Sequence, residues 1–172
     1  TNSGTIRKSQ AGTVGHKTFG LTGVAMLVTA NPDLTNLQVD RIDSNHPSAP
    51  TAGLRTGKYW QITPTGNTYT VDLTLPLSGA LPHSGADHTK AQAARWDGAG
   101  ALPSDWSLAR NSSTASTVTR TGITALSEWT VGDPEVDVAV SKTDDPDPVL
   151  VGGMMTYTPF TVTNNGVYPA TS

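Results

Sequence analysis

The residues best suited to chemistry are three aspartates near the carboxyl end. Asp144, Asp145 and Asp147 cluster in a segment that two prolines interrupt, and Ca²⁺ prefers oxygen ligands of this kind. The segment lacks the alternating spacing and the final glutamate of a dedicated calcium loop. The pattern therefore leaves a calcium site open, beside the simpler interpretation that these are solvated residues of an acidic turn.

Patterns typical of enzymes are missing from the sequence. There is no cysteine, which excludes disulfides, thiolate metal sites and cysteine nucleophiles. No Gly-x-Ser-x-Gly motif occurs, and the two glutamates, Glu128 and Glu135, lie in no motif of a glycosidase. We therefore expect no enzymatic activity and no resident cofactor.

The histidines form no catalytic pattern either. The four are spread over segments that we predict to be loops: His16, His46, His83 and His88. His83 and His88 are close enough in sequence to converge on a metal, but solvated surface histidines are the simpler interpretation.

Four tryptophans raise the possibility of carbohydrate binding, because exposed indole rings stack on sugar faces. They are Trp60, Trp96, Trp106 and Trp129. Each lies in or beside a predicted strand, where a large aromatic side chain usually fills the core. Glycan binding and core packing both remain open for these residues.

The composition predicts an all-β protein. Of the 172 residues, 27 are threonine, 17 are glycine and 12 are proline, and 15% are charged. Threonine suits a pleated, wettable surface, and no long stretch has an apolar period of 3.6 residues. The net charge of −3 without a basic stripe argues against nucleic-acid binding. No apolar run is long enough to span a bilayer.

The same composition favours an exported protein. It is rich in Thr, Ser, Gly and Asn and poor in Lys and Glu. We expect a secreted, extracellular or cell-surface location. The sequence opens at Thr1 without a charged and then apolar leader, so we expect a secretory signal to be absent or already removed.

Apolar alternation and turn residues predict three parts. Residues 1–15 are small and polar and predict a flexible or exchanged N-terminal arm. Residues 16–133 carry turn signals every eight to twelve residues, as in a β-sandwich with Greek-key connections. The clearest strand is Asn67–Leu77, which we expect to form a hairpin with Leu54–Thr63. Pro134 then ends this domain.

Residues 134–172 predict the beginning of a second β module. One strand spans Glu135–Lys142, an acidic turn follows, and a second strand spans Met155–Thr163. Two strands bury no face by themselves, so we expect them to add to a sheet edge of another copy. The side chains expected to dock there are Val136, Val138, Val140, Met155, Tyr157, Phe160 and Val162.

Several segments of the first domain resemble a known module. They are Asp40–Pro47, Gly57–Thr63, Tyr69–Pro76 and Val118–Gly132, with Tyr59-Trp60 and Ser127-x-Trp129-x-x-Gly132 as the most specific patterns. Together, over about residues 16–132, they resemble an uncharacterised β-sandwich module of large secreted bacterial surface proteins. The resemblance implies a module that precedes other repeats or an anchoring region.

The tail resembles a different unit. From Val136 to Gly166 it is similar to the start of the conserved repeat of bacterial and archaeal surface proteins, an immunoglobulin-like sandwich of about a hundred residues. Only the first third or so of that repeat is present. The second strand is also one residue longer than the usual pattern at Pro159, where a bulge would restore the register.

These observations lead to one main hypothesis and two alternatives. The main hypothesis is a non-catalytic structural subunit of a bacterial extracellular filament or layer, joined head to tail by β-strand addition between copies. The first alternative is an adhesin or glycan-binding module that binds surface polysaccharide. The second is an inert spacer repeat of a longer chain.

Overall fold

The computed structural model describes residues 5–49, 54–80, 88–98, 106–133, 138–141, 144–145, 156–157 and 161–164. Over these ranges the protein is all-β, with antiparallel strands, two short 3-10 turns and no α-helix. This confirms the predicted fold class. The chain divides into two compact units, Thr1–Pro134 (unit 1) and Glu135–Ser172 (unit 2).

Unit 1 contains two antiparallel sheets. Its strands in chain order are β1 (Thr5–Ala11), β2 (Gly15–Thr18), β3 (Ala25–Ala30), β4 (Asn36–Ile42), β5 (Tyr59–Thr65), β6 (Thr70–Pro76), β7 (Gln92–Trp96), β8 (Trp106–Ala109), β9 (Ser112–Ser113), β10 (Thr117–Ile123) and β11 (Glu128–Gly132). The six-stranded sheet has the order β1-β4-β5-β11-β7-β8, and the five-stranded sheet has the order β2-β3-β6-β10-β9.

The inward faces of the two sheets share one apolar core. Strand β6 shows the reason most clearly, because Val71, Leu73 and Leu75 alternate with polar residues and are all fully buried. Inward residues of the other sheet, such as Leu37 on β4 and Ile62 on β5, belong to the same cluster. The two layers therefore pack face to face as a β-sandwich.

The predicted hairpin between Leu54–Thr63 and Asn67–Leu77 is wrong. β5 pairs with β4 and β11 in one sheet, whereas β6 pairs with β3 and β10 in the other. The apolar alternation of β5 and β6 shows that each strand has one buried face. It does not show that the two strands lie in different sheets, where those faces pack against each other.

Asp33 holds the connection that crosses from β5 to β6. Its carboxylate accepts hydrogen bonds from the backbone N–H groups of Asn67 (3.0 Å) and Thr68 (2.7 Å), which lower the pKa of Asp33. Gly66 has φ +122°, and a Cβ there would lie 2.5 Å from the Asp33 carbonyl oxygen. The turn needs glycine for its backbone conformation and for the close approach of the β3–β4 connection.

Part of the predicted flexible or exchanged N-terminal arm, residues 1–15, is a regular strand in the structure. Thr5–Ala11 is an edge strand that pairs along its whole length with β4. Arg7 donates two hydrogen bonds, 2.8 and 2.7 Å long, to the carboxylate of Asp40, which is itself buried. Backbone pairing and this ion pair, rather than apolar alternation, hold the segment to the sheet.

A buried ion pair joins two segments of unit 1 that are distant in sequence. Arg55 donates from Nε and Nη2 to the two oxygens of Asp133, at 2.8 and 2.7 Å, and their side chains are 0% and 2% exposed. The backbone N–H of Arg55 also donates to Val131 O at 2.7 Å. These bonds join the segment before β5 to the end of β11.

Unit 2 contains two small sheets. β12 (Val138–Ser141) pairs with β15 (Thr161–Asn164), and β13 (Asp144–Asp145) pairs with β14 (Thr156–Tyr157). Two predictions are corrected by this pairing. Asp144 and Asp145 lie in a strand rather than a turn, and the second predicted strand is divided between β14 and β15. Pro159, the predicted bulge, lies outside the described residues.

The buried pair predicts that a double substitution costs less stability than either single substitution. Removing one partner leaves an uncompensated buried charge, so Arg55→Met or Asp133→Asn should lower the free energy of unfolding by about 3–5 kcal/mol. The double variant Arg55→Met/Asp133→Leu should recover most of that loss. Urea unfolding measures both. Asp43→Ala, which breaks the partly exposed pair with Arg41, is the control and should cost at most about 1 kcal/mol. A double variant as unstable as the singles would contradict the prediction.

Candidate functional site

A groove of about 520 Å³ lies between β5 and β7 in unit 1. We call it the β5–β7 groove. It is lined by Gln61, Ile62, Thr63, Pro64, Arg95, Trp96, Asp97, Gly98, Leu126, Ser127 and Glu128. The lining combines one indole with carboxylates, an amide, hydroxyls and a guanidinium, and is therefore suited to a polar ligand with an apolar face.

The groove forms because β11, the strand between β5 and β7, does not extend along the full length of these two strands. β11 lies between β5 and β7, but it starts only at Glu128, which pairs with Gln61. Before that residue the chain forms the floor. The Ile62 N–H donates to Ser127 O at 2.8 Å, and Ser127 Oγ donates to Trp96 O at 2.8 Å. These bonds fasten the floor to both walls.

Behind one wall lies an aromatic cluster centred on His46. The imidazole ring is buried, and three rings surround it at centroid distances of 4.8 Å for Tyr59, 5.0 Å for Trp96 and 4.9 Å for Trp106. The Tyr59 and Trp106 contacts are edge-on, an arrangement that aromatic quadrupoles favour. Burial first, and then the charge of the nearby Glu128, raises the pKa of the Tyr59 phenol.

The hydrogen bonds of His46 determine its tautomer. The Ser48 backbone N–H donates to Nδ1 at 3.0 Å, so this nitrogen carries no proton. Nε2 lies 3.1 Å from Glu128 Oε2 and therefore holds the proton that it donates to the carboxylate. The cluster thus orients two groove residues, Glu128 through this hydrogen bond and Trp96 through ring contact.

The residues that line the groove offer several hydrogen-bonding groups and one indole ring. Glu128 is held by a histidine whose second nitrogen is already occupied by a backbone N–H. The exposed side chains of Gln61 and Thr63 offer hydrogen-bonding groups on one wall, and Trp96 offers a half-buried ring on the other. Such a set suits hydroxyl-rich ligands.

Three of the four predicted glycan-binding tryptophans are not available to a ligand. Trp60 and Trp129 are fully buried and Trp106 is 4% exposed. The indole N–H groups of Trp60 and Trp106 donate to backbone carbonyls, at 2.9 Å to Thr22 O and 3.1 Å to Ser48 O. Of the two interpretations, core packing therefore applies to Trp60, Trp106 and Trp129, and Trp96 is the one of the four that lines the groove.

Among the described residues, His16, His46 and His88 do not form a group that could hold a metal ion. His16 is exposed on β2, His83 lies outside the described residues, and His88 Nδ1 accepts from Arg55 Nη2 at 3.1 Å. The prediction of a solvated surface histidine is wrong for His46, whose burial depends on three rings from distant strands. No local pattern in the sequence indicates that burial.

The predicted metal residues are placed only in part. Asp144 and Asp145 are consecutive residues of β13, and Asp147 lies outside the described residues. Over the part of the chain that the structure describes, no group of three or more acidic, histidine or cysteine side chains could hold a metal ion. No described helix is long and apolar enough to cross a membrane.

The predicted docking residues are also placed in part. Val138 and Val140 lie in β12 and Tyr157 in β14, while Val162 lies in β15 opposite Val140. The Val162 side chain is 67% exposed. Val136, Met155 and Phe160 lie outside the described residues.

The His46 cluster predicts different effects for two substitutions of one residue. Glu128→Ala removes the acceptor of a buried N–H and should lower the free energy of unfolding by about 1–3 kcal/mol. Glu128→Gln retains an acceptor oxygen and should cost less than about 1 kcal/mol. Urea unfolding compares the two, and ¹⁵N shifts of the imidazole report the Nε2–H tautomer. Equal losses, or a proton on Nδ1, would show that the hydrogen bond does not have this role.

Comparison of the chain with known proteins returns no match. No family model matches the sequence. Neither the search of curated proteins nor the search of solved structures finds a significant match. A functional proposal for this protein therefore depends on its residues and geometry.

Proposed function

We propose that this protein is a non-catalytic structural subunit of an extracellular bacterial surface assembly, a filament or layer. Copies are joined head to tail when the strands of unit 2 add to a sheet edge of the next copy. The observation that carries the proposal is the form of unit 2. In its described residues, each sheet has two strands, and within those residues each strand is paired on one side.

Open edges favour addition of another strand. The strands of unit 2 satisfy one another's facing N–H and C=O groups. Their outward groups still form a template for pairing with another chain. Val162, 67% exposed beside such an edge, supplies the apolar contact that accompanies strand addition.

The charges of the two units are complementary. Residues 135–172 contain five acidic residues and one lysine, whereas residues 1–134 contain nine acidic and ten basic residues. An acidic tail and a slightly basic body attract each other between copies rather than repel. The contact joins different surfaces of the two copies, so it propagates unless its geometry closes a ring.

Strand β1 is the acceptor edge that fits best. It is seven residues long, against four for β2, four for β8 and two for β9, the other described edges of unit 1. It also carries Arg7 and Lys8. Charged residues on an edge discourage indiscriminate pairing, while basic residues favour an acidic incoming strand.

The proposal predicts that assembly depends on unit 2. The full chain should form oligomers that grow with protein concentration and weaken with added salt, and a chain lacking residues 135–172 should stay monomeric. Val162→Asp should weaken assembly at least tenfold because it places a charge in the contact. Light scattering measures the mass, and electron microscopy shows the form of any polymer.

Val14→Asp is the matched control for that substitution. Val14 is 63% exposed and lies outside both unit 2 and the proposed acceptor strand β1, so its replacement should leave assembly unchanged. If the truncated chain assembles as well as the full chain, tail addition is wrong.

A second candidate is glycan binding in the β5–β7 groove. The observation that favours it is the half-buried Trp96 facing a wall of exposed polar residues in a groove of about 520 Å³. Stacking of a sugar ring on an indole combined with hydrogen bonds to its hydroxyls is the chemistry that such a lining offers. This candidate does not require unit 2.

Groove binding predicts that wall residues determine affinity. A glycan array should identify a polysaccharide that quenches tryptophan fluorescence, and Gln61→Ala/Thr63→Ala should weaken that binding at least tenfold. Thr29→Ala, an exposed threonine of the other sheet, should bind normally. Absence of any glycan that binds, or equal binding by the groove variant, would exclude this function.

A further inference from the structure

A second cavity, of about 240 Å³, lies beside the loop that follows β10. We call it the interlayer cavity. It is lined by Arg95, Arg120, Trp129 and residues 121–125. It is distinct from the β5–β7 groove, although Arg95 lines both. Neither candidate function uses it.

The two arginines enter this cavity from opposite sheets. Arg95 lies an even number of positions after Ala91 and Ala93, which lie in the core, so it faces the same side of the sheet as they do. It pairs directly with Trp129. On the other sheet, Arg120 is two residues from the buried Val118 and faces the same side of its strand. Its guanidinium carbon lies 5.5 Å from the centre of the Trp129 ring. Two guanidinium groups therefore share a site between the layers.

The charges of these groups are not balanced by the described residues. Four ion pairs form there, and neither Arg95 nor Arg120 takes part in any of them. Arg120 donates instead to Ser107, at 2.8 Å to the carbonyl oxygen and 3.1 Å to Oγ. Burial first, and then the charge of Arg95, lowers the pKa of Arg120. The pair thus repels itself.

Two of the residues that line the cavity carry buried N–H groups without acceptors. Among the described residues, Arg95 Nε and the indole Nε1 of the fully buried Trp129 have no hydrogen-bond partner. The one hydrogen bond given for Arg95 is long, at 3.4 Å to Ala125 O. Buried N–H groups normally have acceptors. The Arg95 guanidinium therefore has unused donor capacity beside the cavity.

Local backbone geometry opens the cavity at this point. The register of β10 against β6 shifts between Arg120 and Ile123, and Gly122 has φ +67°. Its N–H donates to Asp72 Oδ1 at 2.9 Å. Such a bulge bends the strand and redirects neighbouring side chains, as is common beside binding sites.

We propose that the interlayer cavity binds a carboxylate group, held by Arg95 and Arg120. The planar fork of a guanidinium matches the two oxygens of a carboxylate. A carboxylate would also remove the repulsion between the arginines, which water could not do. The cavity volume admits a single small group of this kind.

Two sources can supply the carboxylate. One is a free organic acid, such as acetate or a uronic acid. The other is an acidic side chain from residues 144–147 of a second copy, which rests on the proposed function. Binding of free acetate does not depend on tail addition, so failure of one proposal is distinguishable from failure of the other.

The test measures thermal unfolding of the full chain with sodium acetate replacing sodium chloride at constant ionic strength. Ligand that binds only the native state raises the midpoint. Acetate should raise the midpoint of the natural chain. It should also raise the midpoint of the control Arg110→Gln, because Arg110 donates to Thr89 O and Ser113 Oγ outside the cavity. Arg95→Gln and Arg120→Gln should bind acetate at least tenfold more weakly.

The variants are expected to fold. Arg95→Gln removes like-charge repulsion, so its midpoint without acetate should equal or exceed that of the natural chain. If Arg120→Gln is unstable because Ser107 loses its partner, Arg95→Gln still carries the test. The proposal is overturned if acetate does not raise the unfolding midpoint of the natural chain. It is also overturned if acetate raises the midpoints of the natural chain and of Arg95→Gln equally.

A peptide arm identifies the source. The peptide SKTDDPDPVL, residues 141–150, and its SKTNNPNPVL analogue are added to the full chain in place of acetate. Tighter binding of the acidic peptide than of acetate, lost in Arg95→Gln and with the asparagine analogue, supports a second copy as the source. Acetate binding without peptide binding supports a free acid.

Discussion

The constraint on which unit 1 depends is that each of its sheets has one apolar face, and neither face is stable in water without the other. The chain must therefore cross between layers rather than continue along one sheet. Both the β3–β4 and the β5–β6 connections do so, and the Asp33 carboxylate ties them together. Every described site follows from this arrangement, because the crossings decide which strands become neighbours.

Polar interactions then determine the regions that apolar packing leaves undecided. The pair of Arg55 with Asp133 joins the segment before β5 to the end of β11, and the pair of Arg7 with Asp40 holds an otherwise polar edge strand. His46 fills an aromatic cluster on the outer side of the six-stranded sheet. In each case a buried charge or ring has a partner far away in sequence, so the interaction defines the fold as well as stabilising it.

The sequence predicts the strands well and their partners poorly. Val71, Leu73 and Leu75 alternate so regularly that β6 is evident, yet alternation specifies a face and not a neighbour, so the hairpin with β5 was wrong. β1 has no apolar period, because an edge strand with Arg7 and Lys8 needs none. The β5–β7 groove was not predictable either. It arises where β11 starts late, and Trp96 and Glu128 meet there only through long-range pairing.

Unit 2 is the part of the protein on which the proposed assembly depends. Its strands pair with each other, and their remaining edges are what a neighbouring copy would use. The most direct measurement is hydrogen exchange of the backbone amides of β12 and β15 at low and high protein concentration. The proposal predicts that the amides on the open edges exchange more slowly as concentration rises, while those between the two strands change little. Exchange rates that are independent of concentration at every amide of both strands would contradict it.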